Sequence, residues 1–167
     1  MSTGFRGMIM VGSVVLLGGC GDGAGRGAAS DGTAAANASN RPPGEAAYLA
    51  VCANCHLEHG RGMAPAYRSL VGSAWATGDA DRSIAIVLYG VQGPVVDERS
   101  TYHTAMLAFG SGAPMSDTAV AAVVTYMRTS WGNTASAVTV ADVARVKARY
   151  AGRTKGFTQA ELDAMGR

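Results

Sequence analysis

Apolar positions recur at helical spacing in three stretches of the chain. In residues 44–54, Tyr48 and Val51 lie three apart among Glu45 and an alanine pair, all compatible with a helix. In residues 79–91, Ile84, Val87, Leu88 and Val91 follow the i, i+3, i+4, i+7 pattern, and Gly90 marks the end. Residues 116–131 carry the strongest signal, with Val120, Val123, Val124, Met127 and Trp131 on one stripe. Ser116 is placed to cap that helix, and Asp117 suits the positive end of its dipole. Between the second and third helices, residues 92–105 contain Gly93-Pro94 and predict a loop or short hairpin. Two further helix starts stand in the tail, where Thr139 with Asp142 and Thr158 with Glu161 have capping-box spacing. The first tail helix is expected to reach about Tyr150, with Gly152 as its stop.

The pattern before residue 44 differs. Residues 8–17 form an uncharged apolar run of ten after Arg6, the length of a signal-peptide core and too short for a membrane span. Leu17-Gly18-Gly19-Cys20 follows and resembles a bacterial lipobox, in which the cysteine becomes the lipidated first residue. The other reading is an ordinary signal peptide cut nearby, with Cys20 incidental. Residues 21–44 are rich in Gly, Ala, Ser and Asn and read as a flexible tether, stiffened at its end by Pro42 and Pro43. The expected organisation is a lipoprotein-type signal at 1–19, a linker at 20–43, a folded domain at 44–133 and a helical extension at 134–167. Acyl chains on Cys20 would hold the protein on the periplasmic side of a bacterial membrane without spanning it.

Composition sharpens this picture. The 167 residues suit one domain plus extensions. Hydrophobic residues make up 48%, enough for a core, yet aromatics reach only 7%. Such a core has room for another large apolar body. A formal net charge of +2 is too near neutral to suggest nucleic-acid binding. The charge is uneven: residues 45–132 hold five arginines against seven carboxylates, and residues 133–167 hold six basic residues against three acids. A basic tail on a weakly acidic body is a solvated surface or a means of steering a partner.

Three cysteines are present, and two of them stand in Cys52-Ala53-Asn54-Cys55-His56. This C-x-x-C-H run is the attachment pattern of c-type haem. On a helical turn, positions three apart share a face, so both thiols can reach the two vinyl groups along one side of a porphyrin. The adjacent imidazole can then bind the iron. A C-x-x-C is also found in thioredoxin-like redox pairs, though no βαβ pattern surrounds this one. It also forms half of a structural zinc site, which wants four ligands, and only Cys20, His59 and His103 are spare.

With these residues in view, the chain resembles a class I cytochrome c, and more narrowly the monohaem cytochromes and cytochrome subunits that accompany bacterial periplasmic dehydrogenases. The resemblance runs through CANCH at 52–56, VLYGVQGPV at 87–95, YHTAMLAFG at 102–110 and MSDTAVAAVVTYMRTSWGN at 115–133. It covers about residues 45–133 and continues more weakly to 157. It implies an all-α class I cytochrome c fold around one covalently bound haem c, with Cys52 and Cys55 bonded to it, His56 as proximal ligand and Met106 as distal ligand. It also implies that the Pro65 carbonyl accepts the His56 N–H bond, a contact that orients the imidazole and raises its basicity. Leu107 stands where the family usually has Pro after the ligating Met. Arg68 and Ser69 stand where the narrower branch has a double Pro.

Of the eight methionines, Met106 alone combines a loop setting with the family context. Met127 reads as core, Met63 lies in the proximal loop, Met115 starts a helix, Met165 is in the tail, and the rest are in the signal. His103 is the rival ligand; its bland reading, like that of His59, is a surface residue. Trp75 and Trp131 are either donors to haem propionates or core. A haem with two protein ligands has no open position for substrate, so the expected role is one-electron transfer. The resemblance suggests a dehydrogenase or respiratory complex upstream and a terminal oxidase or carrier downstream. The alternatives are a haem enzyme or gas sensor with an open distal site, and a fixed relay subunit of one complex.

Overall fold

The computed structural model describes residues 41–109 and 115–165. The expected signal, Cys20 and all but the end of the linker lie outside the described residues. The first helical segment, α1, runs through Glu45–Ala47, a π-helical turn Tyr48–Cys52 and Ala53–His56. It therefore ends on His56, two residues past the stretch the apolar spacing marks. Four-residue α2, Ala74–Thr77, is capped by the Ser73 hydroxyl, which accepts from Trp75 N–H. It is too short to carry a periodic signal and was not expected from the sequence. Helix α3, Ala80–Tyr89, starts on Asp79, whose carboxylate accepts from Arg82 N–H at 2.9 Å. Gly90 ends it at φ 76°. A side chain at Gly90 would collide with the Met106 carbonyl oxygen, so glycine is required there for space as well as for backbone geometry.

Residues 92–105 form the short-hairpin alternative: β1, Val95–Val96, pairs antiparallel with β2, Thr101–Tyr102. Helix α4, Asp117–Thr129, is capped by Ser116 as its sequence suggests. It stops two residues before Trp131, which turns out of the helical path at φ 56° and packs against Tyr48 and Tyr126. Helices α5, Val140–Arg149, and α6, Gln159–Ala164, both begin with complete capping boxes, Thr139/Asp142 and Thr158/Glu161. No helix among the described residues is long and apolar enough to cross a membrane.

One hydrophobic core joins these elements. Ile84, Val87 and Leu88 of α3 meet Val120, Val123, Val124 and Met127 of α4, with Tyr48 and Cys52 of α1. The tail belongs to the same core: Val138, Val143, Val146, Phe157 and Leu162 are all buried. Each such side chain contributes roughly 1.5–3 kcal/mol, so residues 134–165 are an extension in sequence but part of the folding unit. Its charges also close on the body. Arg145 pairs with Asp81 at 2.7 Å and Lys147 with Asp117 at 2.8 Å, while Arg153 pairs within the tail with Glu161 at 2.9 Å. Exposed pairs like these add little stability. They do mean that much of the basic tail is neutralised in place and is not a free steering patch.

Candidate haem-attachment site

The π-turn delivers Cys52 and Cys55 to the end of α1, Cys52 buried and Cys55 half-buried, both as free thiols. Burial, and then the neighbouring Cys55, push the Cys52 thiol up to about 11, so it is protonated at neutral pH. His56 is the last residue of the helix. Leu57 then turns sharply at φ 61° and ψ 163°, a conformation strained for any residue with a side chain. Two contacts hold it: Leu57 N–H donates to Ala53 at 2.9 Å, and the buried Tyr48 hydroxyl donates to the Leu57 carbonyl at 2.7 Å. The backbone is thus locked directly behind the imidazole.

The loop after Leu57 folds back beneath His56. Gly62 N–H donates to the His56 carbonyl, Leu70 N–H to Gly60, and Met63 and Tyr67 exchange a pair of backbone bonds. Gly62 sits at φ 61°, and a Cβ there would meet the Tyr67 carbonyl at 2.5 Å. This folding brings the Arg68 carbonyl to 2.8 Å from His56 Nδ1. A carbonyl only accepts, so Nδ1 carries the proton, and Nε2 keeps the lone pair that a metal needs. Burial holds the imidazole below its usual pKa, partly opposed by the Arg68 carbonyl, and so favours this neutral form.

The acceptor is therefore Arg68, not Pro65. Pro65 is exposed at the outer turn of the loop, three residues too early for its carbonyl to meet the ring. The signal was present in the sequence: Arg68-Ser69 occupies the place of the double proline. Asn133, which the sequence reading passed over, fixes the far end of the loop. Its amide donates to Leu70 and Met127 carbonyls at 3.2 and 2.7 Å and accepts from Gly72 N–H at 2.9 Å.

The Arg68 side chain makes a second structure. Its Nε donates to Asp97 Oδ2 at 2.8 Å, and its guanidinium lies 4.3 Å from the Trp75 ring centre. Burial alone would raise the Asp97 carboxyl, but bonds from Arg99 and Ser100 N–H and from Arg68 outweigh it and hold it low. Arg68 Nη1 is buried with no hydrogen-bond partner, an expensive state for a cationic donor. A haem propionate is an acceptor of the kind it lacks. Trp75 is committed elsewhere, its indole N–H donating to Asp163 at 3.1 Å. Trp131 is packed in the aromatic cluster.

Met106 lies on the segment after β2, half-buried against the core, and exchanges two 3.0 Å backbone bonds with Val91 at the end of α3. His103 and His59 are exposed. No group of three or more His, Cys, Asp or Glu among the described residues is arranged to hold a metal ion, which gives the zinc reading no support. Two thiols one helical turn apart, an imidazole with Nε2 free and a buried guanidinium nitrogen without an acceptor together fit a covalently attached haem.

Comparison with known proteins points the same way. The sequence model of the Cytochrome c family matches residues 42–131. Cytochrome c-552 of Thermus thermophilus is 32% identical over 88 residues, covering 50% of this chain and 65% of that protein. The fructose dehydrogenase cytochrome subunit of Gluconobacter japonicus is 35% identical over 112 residues, covering 63% of this chain and 22% of the subunit. The cytochrome c subunit of the quinone alcohol dehydrogenase of Gluconacetobacter polyoxogenes is 32% identical over 106 residues, with the same two coverages, 63% and 22%. The matched stretch thus spans about two thirds of the first relative and about a fifth of the dehydrogenase subunits. With more than half of its length matched by the family and a site built for the group, the chain belongs to the cytochrome c family and carries one covalently bound haem c.

Proposed function

We propose that the protein transfers single electrons through one haem c with His56 and Met106 as axial ligands, tethered by Cys20 on the periplasmic side of a bacterial membrane. The observation that carries the reading is the imidazole of His56, held by the Arg68 carbonyl one residue after the second cysteine. When bound, the group supplies a one-electron iron couple, whose potential thioether ligation raises. The chain's part is to hold that couple still. Cys52 and Cys55 fix its edge, Arg68 and Asn133 fix the proximal ring through the loop, and the Val91 pairing fixes the Met106 backbone. Two protein ligands leave no position for substrate. The dehydrogenase subunits among the relatives support a dehydrogenase as electron donor, with an oxidase or further carrier as acceptor. Such redox encounters use small, transient interfaces.

The test is the absorbance spectrum of the periplasmically matured protein. The wild type is expected to show sharp reduced c-type bands and a far-red ferric band. Met106→Ala is expected to lose the far-red band and to lower the reduction potential, within the range of about 0.8 V that axial ligands span. Carbon monoxide binding by the wild-type ferrous protein at neutral pH would overturn the reading in favour of an open-site enzyme or sensor. The tether has its own test. Cys20→Ala is expected to move the protein from the membrane fraction to the soluble periplasm, because the acyl chains are its only proposed hold on the bilayer. Unchanged membrane association would remove the lipid anchor.

A further inference from the structure

The tail does more than fill the core. Phe157 N–H donates to the Gly90 carbonyl at 2.9 Å, and Gln92 N–H donates to the Phe157 carbonyl at 2.9 Å. Phe157 therefore brackets Val91 in a parallel bridge. The other edge of Val91 is the antiparallel bridge to Met106, whose two bonds are both 3.0 Å. Val91 is bridged on both edges, by the tail on one side and by Met106 on the other, and these two single bridges make a short ladder. Two residues on, the Gln159 side-chain amide ties the tail to β1, whose partner β2 leads into Met106. It donates to the Val96 carbonyl at 2.9 Å and accepts from Val96 N–H at 2.8 Å.

The strap is itself firmly seated. Phe157 is 1% exposed and meets Tyr89 and Tyr150 edge-on, with the Arg153 guanidinium 3.6 Å above its ring. Arg153 also donates to the Gly156 carbonyl and to Glu161. Gly156 permits the close approach: a Cβ there would lie 3.1 Å from Gln92 N and from the Val91 carbonyl carbon. Without the strap, Val91 would lose one of its two bridging partners, and the Met106 segment would be held by its two bonds to Val91 and the Phe109 N–H bond to Val87. Short ladders at an edge open locally at low free energy.

We propose that residues 156–159 are a positioning strap for Met106, which sets how readily the distal side of the haem site opens to an outside ligand. This rests on the reading of Met106 as distal ligand. The probe is imidazole, added to the full-length ferric protein with its haem attached. In Gly156→Val, bulk forces the strap from the backbone of 91–92. In Gln159→Ala, only the two bonds to Val96 are lost, and the fold is least disturbed. Both variants are expected to keep the far-red band at equilibrium but to bind imidazole faster, by about tenfold, as the loss of one or two local hydrogen bonds implies. Val143→Ala, in α5 and outside this ladder, is the control: it is expected to lower the melting temperature and leave the imidazole rate near that of the wild type. Wild-type rates in both strap variants would overturn the proposal, and so would an equal acceleration in Val143→Ala. Failure of the underlying reading shows separately. A Met106→Ala protein that keeps the wild-type far-red band and imidazole rate removes Met106, and the strap's role with it.

Discussion

Replacing Cys52 and Cys55 together with alanine is expected to abolish covalent haem attachment completely. The two thiols lie three residues apart at the end of α1, both are free, and no other cysteine stands among the described residues. On the proposed reading each would supply one thioether. Either single variant is expected to keep one bond and to show weakened haem staining on a denaturing gel. The double variant should show none. The loss should also reach the fold, because haem is the large apolar body that a chain with 7% aromatics otherwise lacks. A double variant that still stains under denaturing conditions would refute attachment through this pair.

The second large effect is expected at Arg128. Its side chain is 3% exposed near the end of α4. Its Nη1 donates to the Ala76 and Gly78 carbonyls at 3.0 Å each, and its Nε donates to Ser136 at 2.8 Å. The first two acceptors belong to the C-terminal turn of α2, whose carbonyls have no partner within so short a helix. The third lies in the crossing to α5. One guanidinium therefore joins α2, α4 and the tail. Arg128→Met keeps the apolar length but loses all three bonds; the buried Ala76 carbonyl keeps only the Ser83 hydroxyl at 3.2 Å, while Gly78 and Ser136 are exposed and can turn to water. The expected cost is about 2 kcal/mol, the net worth of hydrogen bonds to a charged group, seen as a fall in melting temperature of roughly 6 °C. Arg128→Lys should restore little, since an ammonium does not reproduce the planar fork that reaches acceptors on two sides. A melting temperature within about 2 °C of the wild type for Arg128→Met would show that these bonds carry no net stability.

How the tail engages the body bears on both results. The chain divides by sequence at about residue 133, where the family likeness fades and the charge changes sign. In the folded protein that boundary disappears. Val143 and Val146 are buried with Ile84 and Val124, and Arg145 and Lys147 pair with acids of the body. Truncation at residue 133 would thus remove part of the core itself, and the strap beside Met106 with it.

Local rules made much of this protein legible in advance. The stripes at 84–88 and 120–127, the Ser116 cap and both tail capping boxes depend on residues within a few positions of each other, and all stand in the structure. The C-x-x-C-H spacing is legible for the same reason, since one turn of helix puts both thiols on one side. What the sequence could not determine are the contacts that close over long separations. Arg68 rather than Pro65 accepts from His56 because a folded-back loop, clamped 61 residues away by Asn133, sets which carbonyl meets the ring. Trp131 leaves the helical path and packs on Tyr48, 83 residues away, and on Tyr126, a contact that periodicity does not announce. Phe157 reaches Val91, and through it Met106, across a ladder that no spacing announces. Periodicity and capping are properties of neighbours along the chain. Which carbonyl, ring or strand edge lies within reach is decided only when distant segments share one core.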